Sequence, residues 1–457
     1  MSYVMQLSEI AVMIGGDLQH GDCQFSQIST DTRKVTAGDV FLALQGENFD
    51  AHDFCQQAVS NGAVALIVER VLPLDVPQLI VPSCHEALGN IGRINRNNYQ
   101  GPLIAVTGSN GKTTTKEIIA SILAVKGTTL ATLGNLNNEI GVPLTLLRLN
   151  GEQQYCVVEM GANAKGEIAY CTALAQPDVA IITNAMGAHL EGFGSLQGVV
   201  EAKGEIFQGL SAQGIAILNL DDANVAQWQQ LLVDKNYLSF SLQNTLADVY
   251  ASDLEQLPDG SYQFVLHFGS QNSPVKLQLL ALHNVQNALA AAASAFAIGF
   301  NIQDVVTGLQ NATAIGGRLN TLVGLNNATV IDDSYNGNPD SVKAGLDLLA
   351  QLSGQKILAL GDMAELGVDE LEMHKSIGTY AAAKSIDYVF SCGPKGELAA
   401  LEFAKLTATD SCNFINKDKM IEKLKTMMNQ SSKILVKGSL SAGMKQVVTE
   451  LTQEVSR

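Results

Sequence analysis

The chain has 457 residues, too many for one ordinary core, and that length points to about three domains. Hydrophobic residues make up 46% and charged residues 16%, the mix of a folded protein, and a net charge of −17 argues against a nucleic-acid surface. No stretch reaches the roughly 18 unbroken apolar residues of a membrane span, the start MSYVMQLSEI lacks the regions of a signal peptide, and the seven cysteines form no CxxC pair; a cytoplasmic chain without membrane insertion, its thiols serving as small core groups, is expected.

Ser8 reads as the N-cap of a first helix, with Ile10, Ala11, Met13 and Ile14 at helical spacing and Gly15-Gly16 closing it. Short apolar runs at 40–44 and 63–68, with a helix over 52–60 between them, predict a small α/β domain. The cluster Ser29, Thr30, Asp31, Arg33 falls in a loop, where residue type alone favours a solvated turn over a ligand contact. A further apolar run at 79–81 ends in Pro82, and a helix over 85–98 leads to the turn Gly101-Pro102.

Leu103 to Val106 read as a buried strand, followed by GSNGKTTTK and a helix whose Ile118, Ile119, Ile122 and Leu123 recur at helical spacing. This is a phosphate cradle. Gly108 and Gly111 let the backbone bend and approach an anion, Lys112 supplies a cation, and Thr113 offers a hydroxyl to Mg²⁺. The spacing is GxxGKT, shorter than the general GxxxxGK[ST] pattern because position 106 is Val.

Strands are predicted next at 155–160, 178–184 and 214–220, alternating with helices as in a parallel sheet. Ligands in such sheets sit beyond the carboxyl ends of the strands, which brings Glu159, Asn184, Asn137, Asn138 and His189 toward the phosphate loop. Glu159 suits a Mg²⁺ ligand or a helix cap. His189 by itself is an ordinary surface histidine, and Lys203 in a helical stretch an ordinary solvent-facing lysine. From about 245 to 281 the pattern changes to alternating strands, with turns at Asp259-Gly260 and around Ser273-Pro274, which predicts a β insertion. An Ala-rich helix over 283–300 carries Asn284 and Asn287 in its first turn, suited either to capping or to reading a flat purine edge.

A boundary near 312–320 opens a last region with strands at 329–333, 356–360, 387–391, 412–415 and 433–437 and helices between them, a doubly wound domain without GxGxxG after its first strand. Polar groups again collect at the strands' carboxyl ends, where Arg318, Asp333, Asn336 and Lys437 would face the middle domain across a cleft. The fold class is therefore α/β in three domains: a small α/β N-terminal domain (1–84), a central P-loop parallel-sheet domain (85–314) and a C-terminal Rossmann-like domain (315–457).

In this order, GSNGKTTTK, NNEIGVPLT, VVEMGAN, HLEGFGS, AKGEIF, HNVQNALAA, GGR and DDSYNGNPDS resemble the Mur ligases, and the resemblance extends over all three domains. The short GxxGKT loop is the form that family uses. DDSYNGNPDS and LGDMAELG are similar to the branch that adds D-alanyl-D-alanine to UDP-N-acetylmuramoyl-tripeptide in peptidoglycan synthesis. The resemblance implies ATP, held by Gly108, Asn110, Gly111, Lys112, Thr113 and Thr114, with adenine at Asn284 and Asn287, ribose at Asp333 and the γ phosphate near Arg318. It implies Mg²⁺ at Thr113, Glu159, His189 and a carbamylated Lys203, reversing the solvent-facing expectation for that lysine. Lys112, Lys203, His189 and Arg318 are the catalytic positions it transfers. Ser29, Asp31, Arg33, Asn48, Phe49, Asp50 and His52 resemble the uridine diphosphate site, and Asn138, Tyr335, Asn336 and Asn338 complete the substrate contacts. Small-molecule substrates and a monomeric enzyme are expected.

Overall fold

The computed structural model describes residues 5–25, 27–46, 48–187, 190–211 and 213–452. Among them, no helix is long and apolar enough to cross a membrane.

The N-terminal domain is built on a five-stranded sheet in the order Asp17–Gln19, Gln78–Ile80, Ala65–Val68, Val40–Leu42, Ile28–Ser29, parallel except at the first pair. Its first helix, Leu7–Ile14, starts one residue before Ser8, so Ser8 is not the cap. The capping oxygen comes from a later loop, where Asp22 Oδ1 accepts the Ser8 N–H at 3.0 Å. The C-terminal stop at Gly15 is as expected, with the residue in the left-handed region at φ 73°. The helix Cys84–Asn98, opened by Ser83 accepting from the Glu86 N–H, ties this domain to the next. Its Leu88 and Ile91 enter the N-terminal core, while Asn95 donates to the carbonyls of Leu146 and Leu149 and Arg96 to those of Ala175 and Gln176.

The central sheet has nine strands. The apolar runs that predicted its parallel part form Leu103–Thr107, Tyr155–Glu159, Val179–Ile182 and Ile215–Asn219. The strand Leu103–Thr107 lies between Tyr155–Glu159 and Val179–Ile182, so the loop that follows it opens where the chain switches direction across the sheet. The helix Lys112–Leu123 packs its isoleucines on the Ala-rich helix Leu282–Ala297, whose Ala288, Ala291, Ala292 and Ala295 are buried. Short side chains let two helix axes approach closely, and that closeness brings the start of the Ala-rich helix to the phosphate loop.

The β insertion adds Val249–Gln256, Ser261–Phe268 and Gln271–Leu280, the last two antiparallel, at one end of the sheet. Gly260 makes the expected turn at φ 89°, but the second turn is at Gly269 (φ 58°), not at Ser273-Pro274. Pro274 lies inside the outermost strand, opposite Val265. A proline is tolerated there because an edge strand leaves half of its N–H groups without a neighbour.

The C-terminal sheet runs Asn320–Val323, Thr329–Asp333, Ser432–Lys437, Gln355–Gly361, Tyr388–Cys392, Asn413–Phe414, parallel after the first pair. Asn320–Val323 is an addition to the predicted strands. The helix Pro339–Gln351 follows the second strand and is opened by a reciprocal cap in which Asn338 and Ser341 bond each other, with Pro339 at the first helical position.

Candidate active site

The rims of the central and C-terminal sheets enclose a cavity of about 690 Å³, lined by the phosphate loop, by Glu159 and the Asn135–Asn138 loop, by the start of the Ala-rich helix, and by Arg318, Asp333, Tyr335 to Ser341 and Lys437. Loop and helix take their shape from two glycines. Gly108 has φ 151°, and a Cβ on it would lie 1.9 Å from Thr183 Oγ1; Gly111 has φ 82°, and a Cβ there would lie 2.4 Å from Asn287 Oδ1. The loop is pinned to the neighbouring strand end, where Asn110 N–H donates to Asn184 Oδ1 at 2.9 Å and Ser109 Oγ to the Met186 carbonyl at 3.0 Å.

Lys112 Nζ donates to the carbonyls of Gly108 at 2.6 Å and Ser109 at 3.2 Å, so the ammonium lies over its own loop. Burial pushes its pKa below the usual lysine value; Glu159 pulls it back up and the Arg318 charge lowers it further. Thr113 and Thr114 line the same wall. Glu159 ends its strand with only 2% of its surface exposed. Its Oε1 accepts from Asn137 Nδ2 at 2.8 Å, whereas Oε2 is buried and has no partner among the described residues. A carboxylate oxygen without a donor is costly in a protein interior, and a divalent cation is the ordinary partner for one beside a phosphate loop.

Lys203 is 2% exposed, which corrects the expectation of a solvent-facing side chain drawn from its helical context. It sits near the end of the helix Leu196–Gly204, its Nζ 5.3 Å from the centre of the Phe193 ring. Burial and then the nearby Lys112 charge push its pKa down to about 7, against the pull of Glu167 and Glu205. His189, expected beside it, lies outside the described residues.

Asn284 and Asn287 are both buried, and neither caps the helix, because the cap position is Ala281. Asn284 Nδ2 donates to the Leu280 carbonyl, Asn287 Nδ2 to Asn284 Oδ1, and Thr115 Oγ1 to Asn287 Oδ1 at 3.3 Å. The two amides thus form one chain reaching from the Ala-rich helix to the loop helix. Asp333 is held by Lys437 Nζ at 2.5 Å and accepts the Leu319 N–H at 3.3 Å.

Among the described residues, two side-chain hydrogen bonds cross between the rims. Arg318 Nη2 lies 3.4 Å from Thr113 Oγ1, and Asn338 Nδ2 donates to Asn110 Oδ1 at 2.8 Å. Asn138, Tyr335 and Asn336 line the cavity too.

The N-terminal cluster is built elsewhere and does not line this cavity. Ser29 Oγ donates to the Asp31 carbonyl at 2.9 Å, and Arg33 grips the Asp31 carboxylate, which that bond holds down to about 2. Burial pushes Asp50 up, but the hydrogen bonds of His52 and Arg70 outweigh it and hold the carboxyl at about 2. His52 is buried with both ring nitrogens engaged, Nδ1 to Asp50 at 2.6 Å and Nε2 accepting the Glu69 N–H at 2.9 Å. Asn48 and Phe49 are exposed.

Reasoning from the sequence overlooked three residues. His283 lines the cavity, its pKa lowered by burial and by Lys437 against the pull of Asp333, and its signal was its place directly before Asn284. Glu167 lines the far wall from the first turn of its helix. Arg70, which pairs with Asp50 at 2.9 Å, carried no local signal.

Three family descriptions match the chain: "Mur ligase family, catalytic domain" over residues 24–97, "Mur ligase middle domain" over 106–295 and "Mur ligase, glutamate ligase domain" over 317–440. The UDP-N-acetylmuramoyl-tripeptide–D-alanyl-D-alanine ligase of Escherichia coli (strain K12) is 42% identical over 98% of this chain and 98% of its own. Among solved structures, MurF from Acinetobacter baumannii superposes with a TM-score of 0.91 at 38% identity, covering 98% of this chain and 99% of that one. The MurF ligase of Thermotoga maritima, solved in complex with ADP, gives 0.83 at 28% identity over 93% and 96% of the two chains.

Proposed function

We infer the function from one premise: the chain belongs to the Mur ligase family. It is an ATP-dependent ligase that joins D-alanyl-D-alanine to the peptide carboxylate of UDP-N-acetylmuramoyl-tripeptide, giving the pentapeptide precursor of peptidoglycan. The observation that carries the reading is the meeting of Arg318 with Thr113 across the cavity, because it places a C-terminal cation at the mouth of the phosphate loop.

A carboxylate resists attack by an amine until one of its oxygens becomes a leaving group. Transfer of the γ phosphoryl of ATP supplies that group as an acyl phosphate, and the dipeptide amine then displaces phosphate. Both partners in the first step are anions, so the site must gather positive charge inside an acidic protein. Lys112 does this once it leaves the Gly108 and Ser109 carbonyls for the phosphates, and Arg318 does it from the opposite rim. Asn284 and Asn287 hold adenine in this reading, and Asp333 the ribose.

Mg²⁺ fits the site because Glu159 Oε2 is buried without a partner beside the Thr113 loop. Thr113 and Glu159 would hold it, with His189 and Lys203 completing the set, and it would supply charge neutralisation on the phosphates. Carbamylation of Lys203 fits a buried amine whose pKa of about 7 leaves much of it neutral, the form that reacts with CO₂. Water must be kept from the acyl phosphate, and closure of the two rims on each other, with the Asn338–Asn110 bond as one bridge between them, is the device this reading assigns to that task.

The division at residues 84 and 314 assigns uridine diphosphate to the N-terminal domain, at Ser29, Asp31, Arg33, Asn48, Phe49, Asp50 and His52, and leaves Asn138 and Asn336 to the peptide end, since Tyr335 is engaged with Arg318 and the Asn338 amide with Asn110 and Ser341. We place the enzyme in the cytoplasm as a monomer. Phosphate release from ATP and Mg²⁺ with UDP-N-acetylmuramoyl-tripeptide, comparing D-alanyl-D-alanine with single amino acids, tests the reading. Release with the dipeptide alone is expected; release with a single amino acid, or with no acceptor at all, overturns it.

A further inference from the structure

The backbone around Arg318 is fastened to the C-terminal domain, yet its side chain ends in the central one. On one side the Gly317 N–H donates to Asp332 Oδ2 at 2.8 Å, and the Gly317 carbonyl accepts the Tyr335 N–H at 3.2 Å. On the other, the Leu319 N–H donates to Asp333 Oδ1 and the Leu319 side chain is buried in the C-terminal core. Arg318 therefore travels with the strand Thr329–Asp333 and the turn that follows it. A long side chain carried on a moving domain would lose its aim, because arginine has many rotamers of similar energy.

The ring of Tyr335 removes that freedom. The guanidinium lies over its face, with Cζ 4.3 Å from the ring centroid. Gly317 makes the approach possible, since it has φ 80° and a Cβ on it would lie 2.9 Å from Tyr335 Cβ. A planar, permanently charged guanidinium on an aromatic face is held in direction as well as in place, which an ammonium would not be. We propose that Tyr335 is a positioning residue for the ligation: its ring presets the Arg318 guanidinium so that closure of the C-terminal domain delivers the cation to the phosphate loop beside Thr113. Tyr335 then acts through Arg318 rather than by contact with the peptide substrate. The proposal rests on the ligase reading above.

The test is a double-mutant cycle in the full-length enzyme, measuring kcat and the KM of each substrate for Tyr335→Leu, Tyr335→Phe, Arg318→Ala and the pair Arg318→Ala/Tyr335→Leu. Tyr335→Leu should lower kcat about tenfold, as expected from loss of a partly desolvated cation–π contact, and leave the KM of the UDP substrate unchanged. Tyr335→Phe, which keeps the ring, should restore most of the loss. In the Arg318→Ala background Tyr335→Leu should cost nothing further. Losses that multiply across the pair, or a Tyr335→Leu effect confined to the KM of a peptide substrate, overturn the proposal. If Tyr335→Leu does not fold, Tyr335→Met serves the same comparison. Absence of ligation by the unmutated chain would overturn the ligase reading, whereas multiplying losses in an active enzyme overturn the role of Tyr335 alone.

Discussion

The side-chain amide of Asn338 donates to Oδ1 of Asn110 at 2.8 Å, joining the cap of a C-terminal helix to the middle of the phosphate loop. The same Asn338 accepts the Ser341 N–H at 2.9 Å, so one residue both starts the helix and fastens it to the neighbouring domain. Its two oxygen and nitrogen functions are divided between local structure and closure.

That division can be separated by Asn338→Ser. Serine caps a helix about as well as asparagine, so the stability measured by urea unfolding should change by no more than about 0.5 kcal/mol. It is too short to reach Asn110, and loss of one neutral hydrogen bond of about 1 kcal/mol should lower turnover about fivefold. Unchanged turnover would mean that the Asn338–Asn110 bond takes no part in closing the site.

Glu159→Gln addresses the buried oxygen without a partner. The substitution removes the buried carboxylate oxygen that has no partner among the described residues and keeps an oxygen for Asn137 Nδ2, so the thermal midpoint without metal should change little. Activity should fall about a hundredfold, with a steeper requirement for Mg²⁺ in initial-rate titrations. Removing divalent ions from the unmutated enzyme with a chelator should stop phosphate release. A variant as active as its parent at low Mg²⁺ would show that Glu159 holds no metal.

Lys203 makes a prediction with a sign. Its amine titrates at about 7 in the fold against 10.5 as the ordinary value, so between these limits the unfolded chain binds the extra proton. Stability contributed at this site therefore rises with pH from about 7 to about 10.5, and Lys203→Met should lack that slope in denaturation curves taken across the window. The neutral amine is also the form that takes up CO₂. Activity should fall in CO₂-depleted buffer near pH 7.5 and return with bicarbonate, and an enzyme indifferent to bicarbonate would argue against the carbamate.

Much of this architecture was readable in the chain. The strand Leu103–Thr107 lies where its unbroken apolar run put it, because a parallel strand buried on both faces admits little else, and Thr329–Asp333 lies where it was expected although only Val330 and Ile331 in it are apolar. GSNGKTTTK declared its glycines. What stayed hidden depended on distant partners. The first helix is capped by Asp22, 14 residues beyond Ser8, and a local pattern cannot reveal that. Asn320–Val323 alternates half-buried and exposed residues at the edge of its sheet and carries no apolar run. The burial of Lys203 comes from tertiary packing, and its helical context pointed the other way. The order of motifs along the chain, not any one of them, led to the cavity between the rims.

Arg318→Ala tests the cross-rim charge itself. Arg318 touches Thr113 Oγ1 at 3.4 Å, whereas Asp31, paired with Arg33, and Asp50, paired with His52 and Arg70, do not line the cavity. Binding of the UDP substrate, measured calorimetrically without ATP, should therefore be unaffected. Turnover should fall at least about tenfold, because the cation it removes faces charge that develops during phosphoryl transfer, where one well-placed group is worth about 2 to 4 kcal/mol. Lysine at this position should recover only part of the loss, since an ammonium matches the phosphate oxygens at a single point and does not lie flat on the Tyr335 ring. Turnover equal to that of the unmutated enzyme in Arg318→Ala would remove Arg318 from the chemistry, and weakened UDP-substrate binding would place its contribution in the ground state.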